Sequence, residues 1–131
     1  MFSAAALLTG CPTVDLGDSP TDIGDCNPAG GIEYFTTQVY PNYIQPTNTT
    51  RGCTQSGLCH NEGSSNLLIF RNSPRDDAFN YKAAQNFIDC GMPASSALLT
   101  KPVRESDPHG GGELFPMNDP SVQIFLDWFA E

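Results

Sequence analysis

The stretch "GCTQSGLCHNEG", residues 52–63, decides how this chain is read. It brings Cys53, Cys59 and His60 close together, with the second cysteine followed directly by the histidine. Thiols and an imidazole grouped in this way serve a small disulfide loop, a metal site, or the covalent attachment of a prosthetic group. The frame around them narrows the choice. The chain has 131 residues, one domain's worth, and an apolar share of 39% is modest for a core that must stand alone, so a staple or a bound group would help. Six basic against 15 acidic residues give a net charge of -9, which argues against nucleic acid or an anionic membrane surface as partner and favours a basic protein. No apolar run approaches the roughly eighteen residues needed to span a bilayer.

Covalent attachment of haem needs two thiols that reach the two vinyl groups along one porphyrin edge, and an imidazole just beyond the second thiol turned to the iron. Cys59 and His60 meet the second condition by adjacency. Five residues separate the cysteines, where the usual motif has two, so the intervening loop must bulge outward; Gly52, Ser56 and Gly57 tolerate such a loop. Doubling a flexible loop costs only about 0.6 kcal/mol in closure entropy. The alternatives are a Cys53–Cys59 disulfide with His60 an exposed bystander, and a closed zinc site built from Cys53, Cys59, His60 and His109, whose spacing fits no common zinc module.

Outward from this cluster, the N-terminal "MFSAAALLTGC" is a short apolar run ending at Cys11 and similar to the lipobox of bacterial lipoproteins, in which the cysteine is acylated. Residues 1–10 then read as a lipoprotein signal segment. The following acidic stretch, with Asp15, Asp18, Asp22 and Asp25 and several Gly and Pro, reads as a flexible, disordered tether over residues 11–30. Residues 31–131 form the folded domain. Asn48 lies in a glycosylation sequon that carries no meaning in a bacterial envelope protein.

Within that domain, Ile32, Phe35, Val39 and Tyr43 recur at helical spacing, with Pro41 placed to end or kink the helix. "NLLIF", residues 66–70, reads as a strand or a buried extended segment. "DDAFNYKAAQNFIDC", residues 76–90, reads as a helix with Phe79, Ala83, Phe87 and Cys90 inward. "ASSALLTKP" gives one or two turns stopped by Pro102. The last helix has Asp119 as N-cap, Pro120 at its first position, and Val122, Phe125, Leu126 and Phe129 as its apolar face, with Ile124 and Trp128 beside it.

Five cysteines are an odd number for an oxidising compartment. Acylation of Cys11 leaves four. If Cys53 and Cys59 hold haem, Cys26 and Cys90 remain as a disulfide; two disulfides and no haem close the count equally well. The second histidine, His109, precedes three glycines that let the backbone approach a flat, bulky partner, which suits a sixth ligand on the iron. Met117 and, after it, Met92 are the competing sixth ligands.

Taken in order, "YFTTQVYPNYI", "GCTQSGLCH", "PASSALLTKP", "HGGGELF" and "DPSVQIFLDWFAE" resemble the small cytochrome c-like domains of myxobacterial and planctomycete secreted proteins, over roughly residues 32–131. The resemblance implies an all-α fold with loops around a haem, in which the first helix packs across the last. It implies haem c held by thioethers from Cys53 and Cys59, His60 as proximal iron ligand and His109 as distal ligand, with Trp128 placed near the cofactor. With the tether and anchor, the expectation is a membrane-tethered monohaem cytochrome of the bacterial periplasm or cell envelope. It would pass single electrons to and from a redox partner protein, basic by charge complementarity, and would not be an enzyme. The alternative is a haem-free, disulfide-stabilised envelope domain with a binding or structural role; a haem protein with an exchangeable sixth ligand, peroxidase-like or sensory, is a third.

Overall fold

The computed structural model describes residues 25–46, 52–54, 59–103 and 109–130. The lipobox with Cys11, most of the acidic tether, Asn48 and the middle of the loop between Cys53 and Cys59 lie outside the described residues. What is described is all-α. Helix α1 (Gly31–Tyr34) runs without a break into a π-helical stretch (Phe35–Ile44), and α2 (Asp77–Gln85), a 3-10 turn (Pro93–Ser95), α3 (Ala97–Val103) and α4 (Pro120–Asp127) follow. Among the described residues the β structure amounts to isolated bridges, Asn61 with Phe70 and Asn72 with Arg75. "NLLIF" is therefore an extended connection, with Leu68 and Phe70 buried and Leu67 turned out to solvent. No helix among the described residues is long and apolar enough to cross a membrane.

Pro41 neither ends nor breaks the first helix. The chain widens into π winding around it, and the buried residues follow that wider turn: Phe35, Val39, Tyr40, Tyr43 and Ile44 face inward while Ile32 stays exposed. A proline has no N–H, and in i→i−5 winding the carbonyl it leaves without a donor is that of Thr36. The Arg75 guanidinium supplies the bond at 2.9 Å. The same solution recurs in α3. Pro102 lies inside that helix, which continues to Val103, and the carbonyl that loses its i+4 donor is that of Leu98. The Tyr43 hydroxyl donates to it at 2.7 Å. Both prolines thus sit in helices because a side chain from another element replaces the missing backbone donor.

Tyr43→Phe is accordingly expected to cost about 1–3 kcal/mol in urea unfolding, the penalty for a buried carbonyl left without a partner. In a Pro102→Ala background, where a backbone N–H returns to Leu98, the same substitution is expected to cost markedly less. Equal costs in both backgrounds would contradict the substitution of one donor for the other.

Helix α4 is capped as its sequence requires, Asp119 accepting from the Ser121 N–H at 2.8 Å. Its face is rotated from the expected one: Val122, Phe125 and Trp128 are buried, with Leu126 and Phe129 at the border. It packs on the π-helical stretch through Tyr43 with Phe125 and Phe35 with Trp128, ring centres 5.2 and 5.3 Å apart. The α2 face is rotated too. Asn80, Ala84 and Gln85 are buried, while Phe79 lies under the Arg71 guanidinium, 3.8 Å from ring centre to Cζ. Asn80 accepts from the Arg71 N–H at 2.7 Å and donates to the Arg71 carbonyl at 2.9 Å, tying the loop that precedes the helix onto it.

Residues 25–30 belong to the folded body. Cys26 and Cys90 form a disulfide. Gln85 donates to the Cys26 carbonyl at 3.0 Å, and the Gly30 N–H donates to the Trp128 carbonyl at 3.0 Å. A Cβ at Gly30 would meet the Tyr34 side chain at 2.7 Å, so this close approach needs glycine.

Burial pushes the Tyr40 hydroxyl up from 10.0 to about 12, against the pull of Arg75, and pushes Tyr43 well above 10.0. Unfolding releases both phenols to ionise near pH 10.0, so the unfolded chain binds fewer protons than the folded one above that pH. Cys53, whose thiol burial likewise pushes up from 9.0 to about 12, acts in the same direction, so stability is expected to hold below about pH 9.0 and to fall as pH rises towards about 12. Urea midpoints that stay constant through that window would contradict the burial of these hydroxyls.

Candidate functional site

A ladder of backbone bonds carries the order of the first helix into the Cys and His cluster. The Cys53 N–H donates to the Ile44 carbonyl at 2.8 Å, the His60 N–H to the Cys53 carbonyl at 3.0 Å, and the Phe70 N–H to the His60 carbonyl at 2.8 Å. The base of the stretched loop is thus closed, whatever path its middle takes. A polar chain braces it from behind: Tyr40 donates to Asn72, Asn72 to Asn61 at 2.8 Å, and Asn61 to the Thr54 carbonyl at 2.8 Å.

His60 is fixed by its own Nδ1, which lies 2.8 Å from the Leu68 carbonyl. A carbonyl only accepts, so Nδ1 carries the proton and Nε2 is the nitrogen left with a lone pair. His109 is held in the same way, its Nδ1 3.0 Å from the Gly112 carbonyl. The glycines after it serve this turn. Gly112 has φ +69, a conformation that suits glycine, and its N–H donates back to the His109 carbonyl at 2.9 Å; a Cβ at Gly111 would crowd the His109 ring at 3.2 Å. The turn is tied to α3, because the Leu114 N–H donates to the Pro102 carbonyl at 2.7 Å. Phe115 stacks on Tyr43 at 5.2 Å, joining the loop to the core.

The two imidazoles, 49 positions apart by number, come together. Their ring centres are 6.1 Å apart and their planes differ by 9°. Both line a cavity of about 340 Å³, which Cys53 also lines. Its walls are Leu67, Leu68, Phe87, Ala97, Leu98 and Pro102, with Ser65, Asn66 and Lys101 as further polar groups. This is an apolar slot with a few polar groups, the usual composition of a site for a small organic ligand.

Cys53 and Cys59 are free thiols, so the disulfide across this loop is not formed. Cys53 is buried, and burial, helped by the nearness of Cys59, pushes its thiol up to about 12. It is therefore a neutral thiol at ordinary pH when no metal is bound. Among the described residues no three His, Cys, Asp or Glu side chains group to hold a metal ion, so the four-ligand zinc arrangement does not assemble.

Met117 and Met92 are exposed and are not among the residues that line the cavity. Trp128 is not beside the cavity; it is fully buried in the helical core and its Nε1 donates to the Gly31 carbonyl at 2.9 Å. Lys101 and the α3 face were missed as cavity wall. Their signal was in the sequence, since Ala97, Leu98, Lys101 and Pro102 share one helical face.

No protein-family model, curated protein or solved structure matches the chain.

Proposed function

We propose that this protein is a c-type monohaem cytochrome, an electron-transfer module tethered to the bacterial cell envelope through an acylated Cys11. The observation that carries the reading is the pair of near-parallel imidazoles 6.1 Å apart over an apolar cavity that Cys53 lines as well. A metal bound by one nitrogen of each ring, at about 2.0 Å, sets two imidazole centres roughly 6 Å apart. The donor set also fits haem c: two thiols not joined to each other for the vinyl groups, and two imidazoles, each with Nδ1 occupied by a backbone carbonyl, for the iron.

When bound, haem c supplies a one-electron Fe(III)/Fe(II) couple. The chain's part is ligation, orientation and exclusion of water. The Leu68 and Gly112 carbonyls hold His60 and His109 in one tautomer and raise the basicity of the ligating nitrogen. Leu68, Phe87, Leu98 and Pro102, which line the cavity, would exclude water from a bound macrocycle. With His60 and His109 both holding the iron, no coordination site would be left for a substrate, so the protein would serve as an electron carrier and not as an enzyme. Paired histidines also give a lower reduction potential than histidine with methionine. The acidic balance, -9 overall, favours a basic redox partner whose binding weakens as salt is added.

Expression with a haem-attachment system tests the reading. A red product whose denatured mass includes haem, and which loses that mass when Cys53 and Cys59 are both replaced by serine, is expected. A colourless product with two disulfides would instead support the haem-free envelope domain.

A further inference from the structure

We propose that Asn61 is a positioning residue for haem attachment: its side-chain amide locks the two ends of the Cys53–Cys59 loop together, so that both thiols can serve one porphyrin edge across five intervening residues. This rests on the cytochrome reading. Each thioether forms by addition of one S–H across one vinyl double bond, the sulfur taking one carbon and the proton the other, with no oxidant or reductant consumed. Two such additions need both thiols held at a set separation along the edge. A two-residue spacer sets that separation through its own short backbone; five residues with Ser56 and Gly57 among them do not.

Two contacts close the base of the loop instead. The His60 N–H donates to the Cys53 carbonyl at 3.0 Å, and the Asn61 Nδ2 donates to the Thr54 carbonyl at 2.8 Å. One hydrogen bond lets the two ends turn about it; a second, one residue further along on each side, removes that freedom. The amide is itself held in one orientation. Its Oδ1 accepts from the Asn72 Nδ2 at 2.8 Å, and Asn72 accepts from the Tyr40 hydroxyl of the π-helical stretch. A group that donates on one side and accepts on the other can be neither a carboxylate nor an apolar side chain. At the Cys53 end, Gly52 presses on the end of the same stretch, where a Cβ would meet the Ile44 carbonyl at 3.0 Å. Tyr40, Asn72 and Asn61 thus tie the Cys59 side of the loop to the helix that already holds the Cys53 side. None of the three lines the cavity, so substitution there leaves the two imidazoles and the apolar wall in place.

The test counts thioethers in protein expressed with a haem-attachment system, from the pyridine haemochrome band and from alkylation of the thiols that remain after denaturation. Wild-type protein is expected to give two thioethers, with Cys53 and Cys59 both protected from alkylation. Asn61→Ala is expected to raise several-fold the share of haem held through one cysteine, seen as the red-shifted band of a retained vinyl group and one alkylated thiol. Deleting Gln55, Ser56 and Gly57, which leaves two residues between the cysteines, is expected to return Asn61→Ala to two thioethers, a rescue that a purely structural loss would not show. Tyr40→Phe removes one hydroxyl from the far end of the chain and is expected to raise the single-thioether share by less. Two thioethers throughout in both Asn61→Ala and Tyr40→Phe overturn the assignment, and so does an Asn61→Ala defect that the deletion does not repair. Those outcomes leave the cytochrome reading standing; wild-type protein that takes up no covalent haem would remove the reading and this assignment together.

Discussion

In the proposed cytochrome, His109→Ala is expected to convert the oxidised protein from six-coordinate low-spin to high-spin haem, with the change reversed by added imidazole. The reason is positional. His109 is the only second imidazole in the chain, it lies 6.1 Å from His60 with its plane parallel, and it lines the same cavity. The competing methionines, Met117 and Met92, are exposed and are not among the residues that line that cavity. The substitution removes a half-buried ring in a turn, far from the aromatic core around Trp128, so the fold is expected to survive it. Met117→Ala is the control and is expected to leave the spectrum unchanged. A His109→Ala protein that stays low-spin without added ligand would show that another group occupies the sixth position. Gly112→Ala is a gentler version, straining the turn at φ +69 that presents His109.

The largest loss of stability is expected from removing the disulfide. Cys26 and Cys90 are separated by 64 residues, so the cross-link closes a long loop in the unfolded chain. The chain-entropy model gives about 4 kcal/mol for a loop of that order. The structure shows what would come loose. Cys26 begins the segment that leads to Gly30, whose N–H caps the Trp128 carbonyl, while Gly31 accepts the Trp128 indole proton. Cys26→Ser with Cys90→Ser is therefore expected to lower the urea midpoint steeply. The cavity lies elsewhere and Cys90 does not line it, so the Soret position of the folded variant is expected to match wild type. A loss below about 1 kcal/mol would mean that the segment is held by its hydrogen bonds alone.

What the sequence made legible follows the physics of each element. The α4 start was plain because Asp119 and Pro120 are local signals that need no tertiary context. The inward faces were not. In α2 the buried set includes Asn80 and Gln85, which satisfy backbone groups of Arg71 and Cys26, and a hydrophobic pattern cannot announce polar residues buried for that purpose. In the first helix a 3.6-residue period selects Ile32; the π winding selects Tyr40 and Ile44 in its place. Pro41 and Pro102 read as stops because their replacement donors, Arg75 and Tyr43, are distant in sequence. At the site, residue type alone nominated His60, His109, Cys53 and Cys59. The parallel setting of the rings and the bracing by Tyr40, Asn72 and Asn61 depend on long-range packing and were not legible, whereas the α3 wall was written in the shared helical face of Ala97, Leu98, Lys101 and Pro102.

Electron paramagnetic resonance of the oxidised, haem-loaded protein tests the central claim most directly, because it reports both the axial ligands and the angle between their planes. Imidazole planes 9° apart predict a rhombic low-spin ferric signal with no near-infrared band from methionine sulfur. A high-spin signal, the strongly anisotropic signal of crossed imidazole planes, or a methionine-sulfur band would contradict the pairing of His60 with His109.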